Sequence, residues 1–488
     1  MKTNVATPLF SLTTAIVLTG CMVGPNYVKP STPMAQSFKE EAPNLSQAND
    51  GWKLAQPGDQ TPRGNWWEIY SDPQLNALEA QIDSANQTLK IAEANYREAR
   101  TAIRFNRSAE APTIGVAPSI STVRDSPNQP YFPSSQANNG TGDFTLPVDM
   151  SWEIDLWGRI RRSVTAAKEQ TQASAADMAA THLSLQAELA YDYFELRSAD
   201  AEKKLLDDTV QAYSKALGLT ENRFEGGAAP KSDVAQARTQ LKDAQVLDTD
   251  IMVQRAEYEH AIAILIGKPP ANFSLPPSPI DLQTPAIPPI PQVLPSELLE
   301  RRPDIAASER RMAAANEQIG IAQAAYYPTL NLSALAGFEG TSALNWFIWP
   351  SRFWAVGPSF SETLFDAGRR RATKESAVAA YDGNVANYRQ TTLTAFQQVE
   401  DNLAVLRILA GESQQQHSAT SAADETLRLF MNRYAGGVDT YLQVVTSQTT
   451  ALSNEQNDID IRRRQLDASV LLIKAVGGGW DISHLPSF

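Results

Sequence analysis

In residues 143–156, Asp143-Phe144-Thr145-Leu146-Pro147-Val148-Asp149-Met150-Ser151-Trp152-Glu153-Ile154-Asp155-Leu156, every even position is apolar and every odd one is acidic, polar or proline. A period of two sustained this long is a β-strand with one greasy and one hydrophilic face. The same parity appears in Ile114, Val116, Pro118 and Ile120, with Thr113, Gly115, Ala117, Ser119 and Ser121 between them. It returns in Leu330, Leu332, Ala334, Ala336 and Phe338, and more weakly in Trp354, Val356 and Phe360. Strands are therefore expected over about 112–122, 143–156, 328–338 and 353–364. Their lengths suit a tilted crossing of a bilayer, although a half-buried sheet away from any membrane would alternate in the same way.

Long helices flank these strands. Arg159 to Leu217 contains neither glycine nor proline and is rich in Ala, Leu, Glu, Gln, Lys and Arg, all good helix formers. Leu183, Ala187, Ala190, Phe194 and Ala201 form one heptad-like seam, and Leu185, Leu189 and Leu196 a second beside it, which calls for a neighbour on each side. The expected long helices are 158–218, 231–266, 367–434 and 439–476, with shorter ones near 74–107 and 296–325. On the helices alone, an ordinary coiled coil would suffice.

The chain also repeats itself. Asn222-Arg223-Phe224-Glu225-Gly226-Gly227 recurs as Asn432-Arg433-Tyr434-Ala435-Gly436-Gly437, Gly158-Arg159 as Gly368-Arg369, and Gly267 as Gly477. This spacing is too long for a solenoid unit and marks a duplicated half. Residues 74–268 and 296–478 are the two repeats, joined by the proline-rich linker 269–295, which cannot be helical.

Each pair of strands is joined by a loop with aromatic and turn residues, one including Tyr131 and Phe132, the other Trp346 and Trp349. Such residues are common where a barrel meets the membrane interface. A sheet in lipid must close on itself, and four strands cannot. A dimer would give eight strands and a filled interior, a trimer twelve and a pore. Arg159, Arg161, Arg162, Arg369, Arg370 and Arg371, with Arg97, Arg100, Arg104 and Arg107, are expected either as a basic girdle under the membrane or as solvated helix ends.

Composition narrows the function. A formal charge of −13 argues against nucleic acid as a partner, and one cysteine excludes disulfides within the chain and Cys-rich metal sites. Outside the first twenty residues no apolar run is long enough for a transmembrane helix. Residues 1–20 form a signal-peptide pattern ending in Leu18-Thr19-Gly20-Cys21. This end resembles a bacterial lipobox, which would make Cys21 an acylated N-terminus; the plainer alternative is a secretory signal with a chance cysteine. Met22, rather than aspartate, favours the outer membrane. No catalytic constellation or phosphate loop appears, and Ser359 lacks a Gly-x-Ser-x-Gly setting. The expectation is a non-enzyme without cofactor or metal.

Cys21-Met22-Val23-Gly24-Pro25-Asn26-Tyr27, Trp66-Trp67-Glu68-Ile69-Tyr70-Ser71-Asp72-Pro73-Gln74-Leu75, Trp152-Glu153-Ile154-Asp155-Leu156-Trp157-Gly158-Arg159 and Leu298-Leu299-Glu300-Arg301-Arg302-Pro303-Asp304-Ile305 resemble the NodT-type lipoprotein branch of the TolC-like outer membrane efflux proteins. The resemblance implies a mixed α and β fold: a homotrimer whose 12-stranded transmembrane β-barrel, four strands per chain, continues into a 12-helix periplasmic α-barrel. It implies the exit duct of a tripartite pump, with a periplasmic adaptor and an inner-membrane transporter, usually of the RND type. Residues 21–73 would be the acylated N-terminal segment and 479–488 a tail. The tips Arg223, Phe224, Gly226, Gly227 and Arg433, Tyr434, Gly436, Gly437 would meet the adaptor, although the glycines also read as simple helix caps. The periplasmic gate would lie at Leu442, where the family's acidic positions are filled by Gln443 and Thr446, with Asp439 nearby. Alternatives are a metal-efflux or type I secretion duct, or a lipid-anchored coiled-coil envelope protein that conducts nothing.

Overall fold

The computed structural model describes residues 22–32, 38–40, 65–126, 128, 140–280 and 298–488. Cys21, the loop residues Tyr131 and Phe132 and most of the proline-rich linker lie outside them.

Helices α1 (Pro73–Ala85) and α2 (Gln87–Ser108) lead into β1 (Thr113–Val116), β2 (Ser119–Val123) and β3 (Thr141–Ile154). Then come α3 (Arg159–Glu225) and α4 (Lys231–Leu265). The second half contains a single helical turn (Leu298–Arg301), α5 (Pro303–Ala324), β4 (Thr329–Gly340), β5 (Arg352–Ser361), α6 (Arg369–Ala435) and α7 (Tyr441–Ala475). Helices α3 and α6 have 67 residues each, about 100 Å of rod at 1.5 Å per residue. Helix α3 runs on through Gly218 past the expected end, because nothing crowds that position and a lone glycine costs a helix only about 1 kcal/mol. The shorter helices are each interrupted. Asn86 caps α2 through a bond from Leu89 N at 2.9 Å, and Pro303 cannot continue the turn before it.

The sheet is antiparallel in the order β1/β2, β3, β4, β5. Its register pairs Ile114 with Met150, Val148 with Ala336, Trp152 with Leu332 and Ala334 with Val356, so the apolar positions of all strands share one face. Thr145 opposite Glu339, Ser151 opposite Ser333 and Glu153 opposite Asn331 make the other face polar, with Leu335 opposite Asp149 and Phe353 opposite Gly337 as apolar exceptions. The first expected strand is split in two. Pro118 brings no N–H to the ladder, but the register continues unchanged from Val116 opposite Val148 to Ser119 opposite Thr145.

Next to the sheet the helices pack in the order α2, α3, α5, α6, following the strands; further away the order is α4, α3, α7, α6. Helices α3 and α6 run through both levels, while α4 replaces α2 and α7 replaces α5. The replacements meet end to end at two equivalent joints. At the first, Asn86 Nδ2 donates to Leu265 O at 2.8 Å, and Gly267, at φ +68°, lies so near Ala85 that a Cβ would come 2.4 Å from its carbonyl oxygen. At the second, Arg302 Nη1 donates to Ala475 O at 2.9 Å, and Gly477, at φ +100°, sits against Arg301 O. Only glycine combines left-handed backbone with so close an approach. The main core lies at this level, where Trp66, Leu75 and Ile82 pack against both seams of α3, Leu183, Ala187, Ala190 and Phe194 together with Leu185, Leu189 and Leu196.

Candidate functional site

A duct of the kind the resemblance implies would be defined by its ends, its two sheet faces and its attachment. At the far end, α3 and α6 both finish in the same cap. Gly227 N donates to Phe224 O at 2.9 Å and Ala228 N to Arg223 O at 2.8 Å; Gly437 N and Val438 N repeat this on Tyr434 and Arg433. These are Schellman caps, in which the second glycine of each pair, Gly227 (φ +68°) or Gly437 (φ +75°), takes the left-handed position. Gly226 and Gly436 remain helical. Nothing closer than 3.4 Å would meet a side chain there, so the fold itself does not require either glycine.

The two tips are not equivalent. Phe224 is 43% exposed, whereas its counterpart Tyr434 is 2% exposed and packs edge-on to Tyr441. The guanidinium of Arg223 lies 4.8 Å over the Tyr434 ring, and its Nη1 donates to Ala435 O at 2.9 Å. Arg433 forms an ion pair with Asp439 instead. Of the expected tip residues, then, Phe224 and the glycines are presented outward, and Tyr434 and Arg223 fasten one hairpin to the other. Leu442, 57% exposed, shares the open face of α7 with Gln443 and Thr446, while Tyr441, Val444 and Ser447 face inward. Asp439 is engaged by Arg433, and no carboxylate joins Leu442 on this first turn.

At the sheet end, the expected basic girdle is only partly present. Arg159 pairs with Glu153 at 2.7 Å, Arg161 with Asp155 at 3.2 Å and Arg370 with Asp366 at 2.8 Å. Arg162 is buried, and this corrects its expected place in the girdle. It holds Glu317 on α5 at 2.7 Å, and its Nε donates to Val23 O at 2.7 Å. Arg97, Arg100, Arg104 and Arg107 are exposed along α2. The segment after Cys21 is strapped to this junction: Val23 N donates to Trp157 O at 3.1 Å, Met22 lies against Gly158, and Tyr27 bonds Glu309 on α5.

A partly buried ionic seam was not anticipated. Between α3 and α7, Arg463 is held by Glu195, Asp460 and Asp467 beside a polar cavity of about 510 Å³. Burial, then the Glu195 charge, pushes the Asp467 carboxyl up to about 8. Burial and the neighbouring Asp424, Asp208 and Asp458 push Glu455 up to about 7. The spacing Asp460, Arg463, Asp467 places all three on one helix face, a signal that could have been read.

The open-edged amphipathic sheet, continuous with four helices at every level, defines a subunit of a membrane-spanning duct. The chain belongs to the outer membrane efflux protein family, whose model matches residues 71–268 and 294–478, one match per repeat. It is 31% identical over 488 residues, covering all of this chain and 99% of the other, to the probable efflux pump outer membrane protein SepC of Pseudomonas putida. It is 30% identical to the toluene efflux pump outer membrane protein TtgC of the same species, covering 96% and 94%. The outer-membrane channel OprN superposes with a TM-score of 0.85 at 28% identity, covering 94% of this chain and all of that one. The protein is accordingly an outer-membrane component of an efflux pump with a TolC-like channel fold.

Proposed function

We propose that three copies close the sheet into a 12-stranded barrel and the four helices per level into a 12-helix periplasmic duct, anchored by acyl chains on Cys21. The observation that carries this reading is the matched order of strands and helices. Strand β5 and helix α6 leave one free edge, and β1/β2 and α2 the other, so one rotation joins both layers to the next copy. The apolar face then meets lipid and the polar face lines the lumen.

The duct conducts passively. It docks to a periplasmic adaptor through Phe224, Gly226, Gly227, Gly436 and Gly437, and an inner-membrane transporter of the RND type supplies the energy. Cargo is small toxic or drug-like compounds, in keeping with the toluene pump among its relatives; a metal or type I secretion duct of the same fold is the alternative. The test is the purified protein in detergent and in planar bilayers. A trimer that forms pores is expected; a monomer forming none would overturn the reading.

A further inference from the structure

The loop between β4 and β5 does not extend over the mouth of the sheet. It folds back onto the apolar face. Trp346 packs against Phe144 with ring centroids 5.5 Å apart, and Phe347 against Phe338 at 5.9 Å. Both partners stand on the even, apolar positions of their strands. Two glycines on the same parity make room for it. A Cβ on Gly340 would come 2.9 Å from the Trp346 Cα, and one on Gly142 would come 2.6 Å from Thr341 O.

Asn345 pins the loop there. It accepts from Ser342 N at 2.9 Å and donates to Thr341 Oγ1 at 3.0 Å, while Ser351 Oγ donates to its carbonyl at 2.5 Å. The apolar side chains left over point away from the protein: Leu344 is 94% and Trp349 74% exposed, with Phe347 and Ile348 exposed between them. From Gly340 to Ser361 the chain carries a single charge, Arg352. Its guanidinium lies 3.6 Å over the Trp349 ring, and its position opposite Phe338 puts it on the apolar face.

We propose that Thr341 to Arg352 is a lipid-binding collar in the outer leaflet, in which Leu344, Ile348 and Trp349 enter the acyl region and Arg352 takes the headgroup phosphate of an anionic lipid. The inference rests on the sheet being the membrane-spanning part. The collar continues the lipid-facing surface without a break. A cation with no acid among its neighbours in sequence, fixed over an aromatic ring at the edge of an apolar surface, complements a phosphate at the boundary between acyl chains and water. A lid over the pore would instead have to contact the odd, polar face, which these rings do not touch.

The test uses the full chain. In native mass spectrometry of the detergent-solubilised protein, phosphatidylglycerol should be retained over phosphatidylcholine, and Arg352→Gln should weaken that retention about fivefold, the loss expected for one surface-adjacent arginine. Arg352→Lys should recover part of it. Inorganic phosphate should not compete, since it lacks the chains that meet Trp349 and Ile348. In vesicles, the fluorescence difference between the parent and Trp349→Phe should be quenched by brominated acyl chains and not by external iodide. Equal retention by Arg352→Gln, competition by inorganic phosphate, or quenching of Trp349 by iodide would overturn the proposal. Pore formation measured on the same samples keeps its failure distinct from failure of the channel reading.

Discussion

Replacing Arg223 with alanine should loosen the periplasmic end. The side chain makes one charge-assisted bond to Ala435 O and stacks over Tyr434, and so ties the α3–α4 hairpin to the α6–α7 hairpin within one chain. A hydrogen bond involving a charged group contributes about 1.5–3 kcal/mol, and an exposed cation–π contact about 0.5–1 kcal/mol. Because Arg223 is only half-buried, the lower end applies, about 2 kcal/mol together. That corresponds to roughly a 30-fold shift between fastened and released tips. If release widens the duct, open probability in planar bilayers without the adaptor should rise by about this factor, and vancomycin should enter cells producing the variant. Arg223→Lys keeps the charge but not the fork and should fall between. An Arg223→Ala protein with parental open probability would show that the tie is unconnected with the closed state.

Leu442→Ala should raise conductance or vancomycin uptake, because the exposed leucine narrows the proposed gate; an unchanged pore would remove Leu442 from that role. Glu455, beside Asp424, Asp208 and Asp458, has its folded-state pKa raised to about 7, so its contribution to stability is full only below its unfolded value near 4 and declines as pH rises towards 7. The melting temperature should therefore be higher at pH 5 than at pH 8, and Glu455→Gln should narrow the difference, both measurable by thermal unfolding in detergent. Arg162→Ala leaves Glu317 buried and unpaired, which costs about 3–5 kcal/mol; loss of the bond to Val23 should also expose the N-terminal segment to protease, and an unaltered cleavage pattern would contradict the strap.

Strands and long helices were legible because each obeys a single period. Phe144 to Leu156 needs only alternation, and the Leu183 and Leu185 seams need only heptads. The sequences that carried the family resemblance supply joints between elements distant in sequence. Asp72 caps α1 and accepts from Tyr193 at 2.6 Å, Trp157 donates to Pro328 O and stacks on Tyr327, and Arg302 seals the second helix splice. Their specificity comes from contacts distant in sequence, so they identify a family without revealing what they touch. The inequality of the tips was hidden for the same reason. Phe224 and Tyr434 occupy matched positions in the repeat, and only the third dimension buries one under Arg223. The break at Asn86 looked like continuous helix because asparagine punctuates only when its side chain caps the next turn.

The two helix splices divide the rod into stiffness zones. At Gly478, packed on Leu183, the joint lies about 36 Å along α3 from its membrane end, leaving about 63 Å of coil beyond it. Above that level all four helices are tied to strands. Below it, α4 and α7 are separate pieces that meet the upper helices end to end, through an asparagine or arginine bond and a glycine turn, inside the core around Trp66. In the proposed duct, load applied at the tips would run to the barrel along two continuous shafts per subunit, while the other two helices cross a joint on the way.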